Sequence, residues 1–310
     1  MKRLRVAVVG VGHLGQHHVR LLSAMDGVEV AGIVDTKPGR AEEIARQYGV
    51  PARADATGLH GAVDAVTVAV PTVAHADVAL PFVERGIATL VEKPLASSVS
   101  EADRLVEAAS RRGSLLAVGH TERFNPAVTV GLPLVSGPRF VEVHRLGTFP
   151  ERSLDIDVVF DLMIHDLDLL LASVASEVTR IEAVGVNVLT PRVDIANARL
   201  RFASGCIANV TASRISRDRV RRVRFFQHDS YVSIDYAAQE VEAYRLARGP
   251  GRPSIEGGKL DVPHDEPLRL ELADFVEAVR TGREPGVPGR AGREALALAS
   301  RIADAMAQPQ

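Results

Sequence analysis

The 310-residue sequence is short of several features that would define a protein class at once. It has a single cysteine, Cys206, which excludes an internal disulfide and suits a reducing compartment. No run of about 18 apolar residues is present, so no transmembrane helix is predicted. The formal net charge of −2 gives no general attraction to nucleic acid or to anionic membranes. Internal repeats and low-complexity tracts are also absent.

What remains is the composition of an ordinary globular protein, with 46% hydrophobic and 25% charged residues. The chain is long enough for two domains with cores of their own. Its start, MKRLRVAVVGVG, places basic residues before an apolar run of about seven residues. Glycines end that run and no small-residue cleavage site follows, so we interpret it as a first strand, not a signal peptide. We expect a cytoplasmic protein.

Residues 158–171, VVFDLMIHDLDLLL, place titratable side chains in an otherwise apolar segment. On a helix at roughly 100° per residue, Asp161, His165 and Asp168 share one face, and Asp166 points away from them. Buried carboxylates and imidazoles are costly without a partner or a task. Acids that cap the helix or bond a neighbouring backbone, a metal site and a catalytic group remain open alternatives at this point.

The first 120 residues begin with a dinucleotide-binding pattern. Residues 5–9 form a continuous apolar run that leads into Gly10-Val11-Gly12-His13-Leu14-Gly15, and an amphipathic helix follows. This G-x-G-x-x-G turn predicts a pyrophosphate resting on the helix N-terminus. The next strand, residues 28–34, ends at Asp35, 20 residues beyond Gly15. An acid there would bond the adenosine ribose and favours NAD over NADP, although Lys37 and Arg40 behind it could take a phosphate.

Strand and helix patterns alternate up to residue 118, which predicts a doubly wound parallel sheet with ligands at the carboxyl ends of its strands. The side chains found at those ends are Pro71, Thr72, His75, Glu92, Lys93, Pro94, His120, Arg123 and Asn125. Lys93 is the most informative, because it follows a buried strand and precedes a proline. A solvated lysine at a strand end is the alternative interpretation.

From residue 121 to 266 the pattern becomes strand after strand, which predicts an α+β domain with an open, mostly antiparallel sheet. Residues 249–267 are interpreted as a mobile loop, and two helices within residues 267–310 as packing back on the first domain. Six arginines crowd into residues 214–224. They predict either a solvated strand edge paired with acids such as Asp218, or a site in which some of them, Arg214 included, hold a diphosphate.

Five motifs in this order, GVGHLG, Asp35, VAVPTVAH, VEKP and D-x-x-x-H-x-x-D, resemble the Gfo/Idh/MocA family of oxidoreductases over the whole chain. The resemblance implies a Rossmann domain followed by an α/β domain, no catalytic metal, and a homodimer or homotetramer formed through the open sheet. Lys93 matches the active-site lysine of the family, and Asp161 and His165 match its catalytic acid and histidine. The matched or predicted cofactor contacts are Gly10, Gly12, His13, Leu14, Gly15, Asp35, Arg40, Val70, Pro71, Thr72, His75, Glu92 and Lys93.

Within the family, residues 119–126, 160–170 and 213–226 look most like nucleotide-sugar dehydrogenases. This likeness implies NAD-dependent oxidation of a secondary hydroxyl of a sugar, such as UDP-N-acetylglucosamine at C3. We expect His165 to be the base, Asp161 to orient it, Lys93 to stabilise the oxygen, and Arg123, Asn125 and Arg214 to contact the substrate. The alternatives are a cyclitol or aldose dehydrogenase with a myo-inositol-like substrate, and a nicotinamide-binding sensor or scaffold without turnover.

Overall fold

The computed structural model describes residues 3–149, 156–249 and 252–307. The chain divides into two compact units. The first contains the residues up to Thr121 together with Leu268–Leu296, and the second contains Glu122–Pro267 together with the residues from Ala297 onwards. None of the helices in the described ranges is long and apolar enough to cross a lipid bilayer.

The first unit is built on a five-stranded parallel sheet. Its strands are β1 (Leu4–Val9), β2 (Val28–Val34), β3 (Ala65–Val68), β4 (Ala88–Glu92) and β5 (Leu116–Gly119), in the order β2-β1-β3-β4-β5. The connecting helices are α1 (Gly15–Ser23), α2 (Arg40–Tyr48), α3 (His75–Val83) and α4 (Val99–Arg112). The strand order reverses direction between β1 and β3, which is where such sheets bind their ligands.

Apolar residues from distant parts of the chain fill the core of this unit. Val6, Val8 and Ile33 from the sheet are fully buried, as a strand covered on both faces requires. The late helix α7 (Pro267–Thr281) adds Leu272 and Phe275 to the same cluster. The last helix, α8 (Gly289–Ala307), divides between the units after Leu296.

The second unit carries an eight-stranded sheet in the order β13-β12-β11-β10-β6-β9-β8-β7. Its strands are β6 (Phe140–Leu146), β7 (Val178–Val186), β8 (Ile195–Phe202), β9 (Ile207–Ser213), β10 (Val220–Phe226), β11 (Ser230–Asp235), β12 (Glu240–Ala247) and β13 (Ser254–Leu260). Among the described strands of this second sheet, only β6 and β9 pair in parallel. Together the two sheets confirm the predicted fold class.

One feature of the second unit differs from the prediction. Residues 249–267 were expected to form a mobile loop, but they contain β13, whose residues pair with β12 from Val241 to Ala247. The Gly-rich composition that indicated a loop includes Gly257, where a Cβ atom would lie 2.0 Å from the Ala243 carbonyl oxygen. The glycine therefore permits close strand pairing, not a loop. Helix α5 (Pro126–Gly131) and helix α6 (Ile164–Val174) complete the unit, and a π-helical turn over Val159–Met163 precedes α6.

Candidate functional site

The candidate residues fall in both units, and the first group surrounds the turn between β1 and α1. Gly10 has a φ of +85°, and a Cβ atom on Gly15 would lie 1.8 Å from the Gly10 carbonyl oxygen. A Cβ atom on Gly12 would meet nothing within 4 Å, so this side of the turn is open. No side chain caps α1 and its first turn holds no acid, so no carboxylate of that turn repels an anion at the helix N-terminus. The turn therefore fits the pyrophosphate of a dinucleotide.

Asp35 follows β2 and stands beside this turn. Its Oδ2 accepts a 2.8 Å hydrogen bond from the Val11 amide, and its Oδ1 accepts one of 2.8 Å from the Lys37 amide. A carboxylate has about four lone-pair sites, so two remain for other donors. These can accept the two ribose hydroxyls of the adenosine, as the spacing of Asp35 from the glycines predicted.

An open cavity of about 570 Å³ lies next to Asp35. Its lining residues are Gly12, His13, Asp35, Lys37, Pro38, Gly39, Arg40, Glu43 and Arg46. A larger cavity of about 700 Å³ lies at the amino ends of β3, β4 and β5 and contains none of the predicted site residues. Because doubly wound sheets bind ligands at the carboxyl ends of their strands, the cavity beside Asp35 is the relevant one.

His75 joins two of the predicted cofactor-binding turns. Its ring is 1% exposed, with Nδ1 2.8 Å from the Pro94 carbonyl oxygen and Nε2 2.9 Å from the Val70 carbonyl oxygen. Burial lowers the pKa of His75, and the two hydrogen bonds oppose that shift. The residue therefore fixes the turn after β3 to the turn after β4. His75 therefore has a structural role in addition to the predicted contact with the cofactor.

Glu92 and Lys93 stand at the end of β4. The Glu92 carboxylate is 5% exposed, lies 3.0 Å from His18 Nε2 and accepts a 3.2 Å hydrogen bond from the Lys93 amide. Gly119 leaves room for it, since a Cβ atom there would lie 2.9 Å from Glu92 Oε2. Glu92 thus serves as a buried support beneath the turn, and Lys93 is the half-buried residue that the turn carries.

The sequence interpretation missed His18 and Glu271, which accompany Glu92. His18 is fully buried on α1, and Glu271 is 1% exposed on α7. Burial raises the pKa of Glu271 well above its usual range, the Glu92 charge raises it further, and the Thr121 hydroxyl opposes the rise. A polar residue on the apolar face of an amphipathic helix was the available signal, because Glu271 lies three residues from the buried Leu268.

The second group of candidates lies on the segment that contains α6. Because the π-helical turn has i→i+5 hydrogen bonds, the wheel of roughly 100° per residue does not hold between Asp161 and Asp168. Asp161 and His165 are half-buried, whereas Asp166 and Asp168 are both 1% exposed. The segment therefore leaves Asp161 and His165 partly exposed and buries the other two acids within the unit.

Asp168 is bound by an arginine from the segment before α5. Arg123 donates from Nε to Asp168 Oδ2 at 2.6 Å and from Nη2 to Asp168 Oδ1 at 3.0 Å. Asp168 is therefore paired within the second unit. No metal-binding group of three His, Cys, Asp or Glu side chains occurs within the described ranges. The ion pair with Asp168 also gives Arg123, which was predicted to contact the substrate, a structural partner.

Asp166 points away to a buried arginine on β6. Arg145 donates from Nε and Nη2 to the two Asp166 oxygens at 2.6 and 3.0 Å, and from Nη1 to Glu122 Oε1 at 3.0 Å. Burial by itself would lower the pKa of Arg145, but Asp166 and Glu122 raise it strongly, so its charge is permanent. Its guanidinium also lies 5.4 Å from the centre of the Tyr236 ring.

Asn125 and Arg214, predicted to contact the substrate, are structural residues. Asn125 is 2% exposed, caps α5 through the Ala127 amide at 3.1 Å and donates to the Tyr236 carbonyl oxygen at 3.0 Å. Arg214 is 1% exposed and donates to Asp194 Oδ1 at 2.9 Å, to the Ile156 carbonyl oxygen at 2.7 Å and to Thr190 Oγ1 at 3.1 Å. Both side chains are nearly fully buried and bonded within the second unit, so neither is exposed to a substrate.

Two further arginines of the cluster pair with acids, as the plainer interpretation predicted. Arg222 pairs with Asp235 at 2.8 Å, and Arg224 pairs with Glu142 at 2.5 Å. The predicted strand edge is wrong, however, because β10 lies inside the sheet between β6 and β11. Cross-strand acids, not Asp218, are the partners that the structure shows. Arg217, Arg219 and Arg221 are exposed, so a diphosphate contact by these three arginines stays a prediction.

Comparison with known proteins adds sequence relatives to this geometry. A family model described as "Oxidoreductase family, NAD-binding Rossmann fold" matches residues 4–120, and one described as "GFO/IDH/MocA C-terminal domain" matches residues 141–228. UDP-N-acetylglucosamine 3-dehydrogenase from Acidithiobacillus ferrooxidans is 37% identical over 305 residues, which is 97% of each chain. Its solved structure has a TM-score of 0.91 and covers 98% of each chain.

Two further similar proteins are more distant. The scyllo-inositol 2-dehydrogenase (NAD(+)) of Bacillus subtilis is 26% identical, covering 91% of this chain and 88% of that protein. Levoglucosan dehydrogenase, solved in complex with NADH and levoglucosan, has a TM-score of 0.90 at 18% identity, covering 99% and 98% of the two chains. At 18% identity, the similarity to levoglucosan dehydrogenase concerns the fold alone.

Proposed function

Because the chain belongs to the Gfo/Idh/MocA family of NAD-binding oxidoreductases, we propose that it oxidises the 3-hydroxyl of UDP-N-acetylglucosamine or of a close nucleotide sugar. The observation that carries this choice is the 37% identity, over nearly the full chain, to a dehydrogenase of that name. Three arginines of the cluster, Arg214, Arg222 and Arg224, pair with acids of the chain, so these three give no support to a diphosphate contact. The choice of substrate therefore depends on the similarity to this relative.

The first unit supplies the cofactor half of the reaction. The open turn at Gly12 and the N-terminus of α1 would hold the pyrophosphate, and Asp35 would hold the adenosine ribose. Bound NAD supplies a hydride acceptor. His75, which fixes the turns at Val70 and Pro94, keeps the predicted nicotinamide contacts in one arrangement.

Alcohol oxidation also requires a proton acceptor and a group that stabilises the developing negative charge on oxygen. We propose that His165 takes the hydroxyl proton, that Asp161 orients or tunes His165, and that Lys93 donates to the same oxygen. Lys93 comes from the first unit and the other two from the second.

The direct test is a substrate panel. Absorbance of NADH would be followed with NAD and, separately, UDP-N-acetylglucosamine, other UDP-sugars, myo-inositol, scyllo-inositol and free aldoses. We expect reduction with UDP-N-acetylglucosamine. Reduction with inositols alone would overturn the proposal and favour the cyclitol alternative, which the scyllo-inositol dehydrogenase relative represents.

The proposed base has a separate test. His165→Ala should lower kcat by at least about 100-fold, because general-base catalysis contributes roughly 10²–10⁴-fold. NAD affinity, measured by calorimetry, should stay within about twofold, since His165 lies outside the unit that holds the dinucleotide turn. The control is His144→Ala on β6, which should keep normal turnover. Near-normal turnover of His165→Ala would eliminate His165 as the base.

We further propose that the enzyme is a homodimer or homotetramer assembled through the exposed face of the second unit's sheet, and that it works in the cytoplasm. Four aromatic side chains on that face, Phe140, Phe226, Tyr231 and Tyr244, support the first proposal. The dependence on NAD, an intracellular cofactor, supports the second. Sedimentation velocity and cell fractionation, respectively, would test them.

A further inference from the structure

We propose that Glu43 is a specificity-determining residue that favours NAD over NADP by controlling the side chain of Arg40. The inference concerns only the binding of the dinucleotide, so it holds or fails independently of the sugar substrate. Glu43 lies in the first turn of α2 and lines the cavity beside Asp35.

The cavity contains the charges that a phosphate site would need. Lys37, Arg40 and Arg46 line it together with two acids, Asp35 and Glu43. The 2′-phosphate that distinguishes NADP from NAD adds up to about two negative charges at neutral pH. Arginine binds such groups with its forked donors. The cationic residues alone therefore do not explain a preference for NAD.

Asp35 provides the expected part of the discrimination. Its carboxylate is fixed by the amides of Val11 and Lys37, at the position from which it would bond the ribose hydroxyls. A 2′-phosphate attached to that ribose would meet a negative charge there. This effect does not involve Arg40, which could still turn toward a phosphate and offset part of the repulsion.

Glu43 restricts the movement of the Arg40 side chain toward a phosphate. Arg40 donates from Nη1 to Glu43 Oε2 at 2.9 Å, from Nε to the Val11 carbonyl oxygen at 3.0 Å and from Nη2 to Gln16 Oε1 at 3.1 Å. Three contacts in three directions fix the planar guanidinium against the glycine turn. Glu43 also neutralises its charge, so Arg40 supports the turn and offers less to a phosphate.

The exposure of the two partners makes the idea testable. The Arg40 side chain is 20% exposed, whereas that of Glu43 is 59% exposed. A change at Glu43 therefore removes little packing, and the exposed ion pair contributes only a modest free energy. Loss of the pair should release Arg40 without unfolding α2.

The experiment compares Glu43→Gln with Glu42→Gln. Both acids lie in the first turn of α2 and favour its N-terminus, but Glu42 does not line the cavity. Affinities for NAD and NADP would be measured by calorimetry, or by displacement of NADH where NADP binds weakly. We expect Glu43→Gln to bind NADP about three- to fivefold more tightly, with NAD affinity within about twofold. Glu42→Gln should match the unchanged protein.

A second comparison tests whether Glu43 acts through Arg40. In an Arg40→Gln background, adding Glu43→Gln should leave NADP affinity unchanged, because no guanidinium remains to be released. An equal gain in both backgrounds would show a general charge effect and overturn the proposal. Equal behaviour of the Glu42 and Glu43 variants, or no gain in NADP affinity for Glu43→Gln, would overturn it as well.

Discussion

Glu271 shows how a single buried acid can make stability depend on pH. Burial raises its pKa well above the usual range, and the neighbouring Glu92 charge adds to the rise. In the unfolded chain the group ionises near pH 4.5. The folded protein therefore holds a proton that the unfolded chain releases, and the contribution of this proton to stability is present below pH 4.5 and is lost as pH rises through the folded-state pKa.

Replacing Glu271 by Gln should remove this dependence, because the amide imitates the protonated carboxyl at every pH. The melting temperature of Glu271→Gln relative to the unchanged protein should be similar near pH 5 and should increase steadily toward pH 8. Glu277→Gln, at an exposed position of the same helix, provides the control and should show no such trend. A difference that is constant or falls with pH would contradict the assignment.

At the scale of elements, α6 is held in place by charges that face into the second unit. Asp166 is paired with Arg145 of β6, and Asp168 with Arg123 from the segment before α5. Three of these side chains are at most 4% exposed, and that of Arg123 is 20% exposed. Two ion pairs on one helix restrict its rotation, so they fix the positions of Asp161 and His165 as well.

Removing one partner of a buried pair leaves the other charge without compensation, whereas removing both need not destabilise. We expect Asp166→Asn to cost about 3 kcal/mol, or about 6–12 °C in Tm for a domain of this size. The double variant Asp166→Asn, Arg145→Met should recover part of that loss. Breaking the exposed pair of Arg245 and Glu256, 74% and 51% exposed, by Glu256→Gln should cost under about 1 kcal/mol. Equal losses in the two single variants would contradict a buried, helix-fixing pair.

The sequence predicted those elements whose signal is local. Gly10 to Gly15 and Asp35 were found because their spacing along the chain is itself the pattern. The partners of Asp166 and Arg214 are 21 and 20 residues away and depend on which strands meet, so no local pattern identified them. The π-helical turn was missed because the helical wheel assumes one constant rotation per residue. Arginines at 222 and 224 were predicted to pair with acids, but only strand register shows which acids.

At the scale of the whole molecule, the sheet of the second unit has two different faces. Val141, Val143, Val223 and Phe225 point to a buried face, and the alternate residues of the same strands point to the other. On that other face Phe140, Phe226, Tyr231 and Tyr244 lie opposite one another in successive strands. The distances between neighbouring ring centres along this row are 5.6, 5.2 and 6.3 Å.

Polar pairs flank this aromatic row, namely Arg224 with Glu142 and Arg222 with Asp235. An apolar row bordered by paired charges is typical of a protein interface, where aromatic residues bury large areas at the centre and polar groups surround them. A two-fold axis through the sheet would bring the same row of two chains together. The occupant that we propose for this face is therefore a second copy of the chain.

The proposed interface makes a prediction about the oligomeric state. The double variant Tyr231→Glu, Tyr244→Glu would place unpaired charges at the centre of the contact, so sedimentation velocity should show monomers at concentrations where the unchanged protein is a dimer or tetramer. The matched control, Tyr231→Phe with Tyr244→Phe, keeps the rings and should keep the assembly. Circular dichroism would check that both variants fold. An assembly that survives the two glutamates would place the interface on another surface of the molecule.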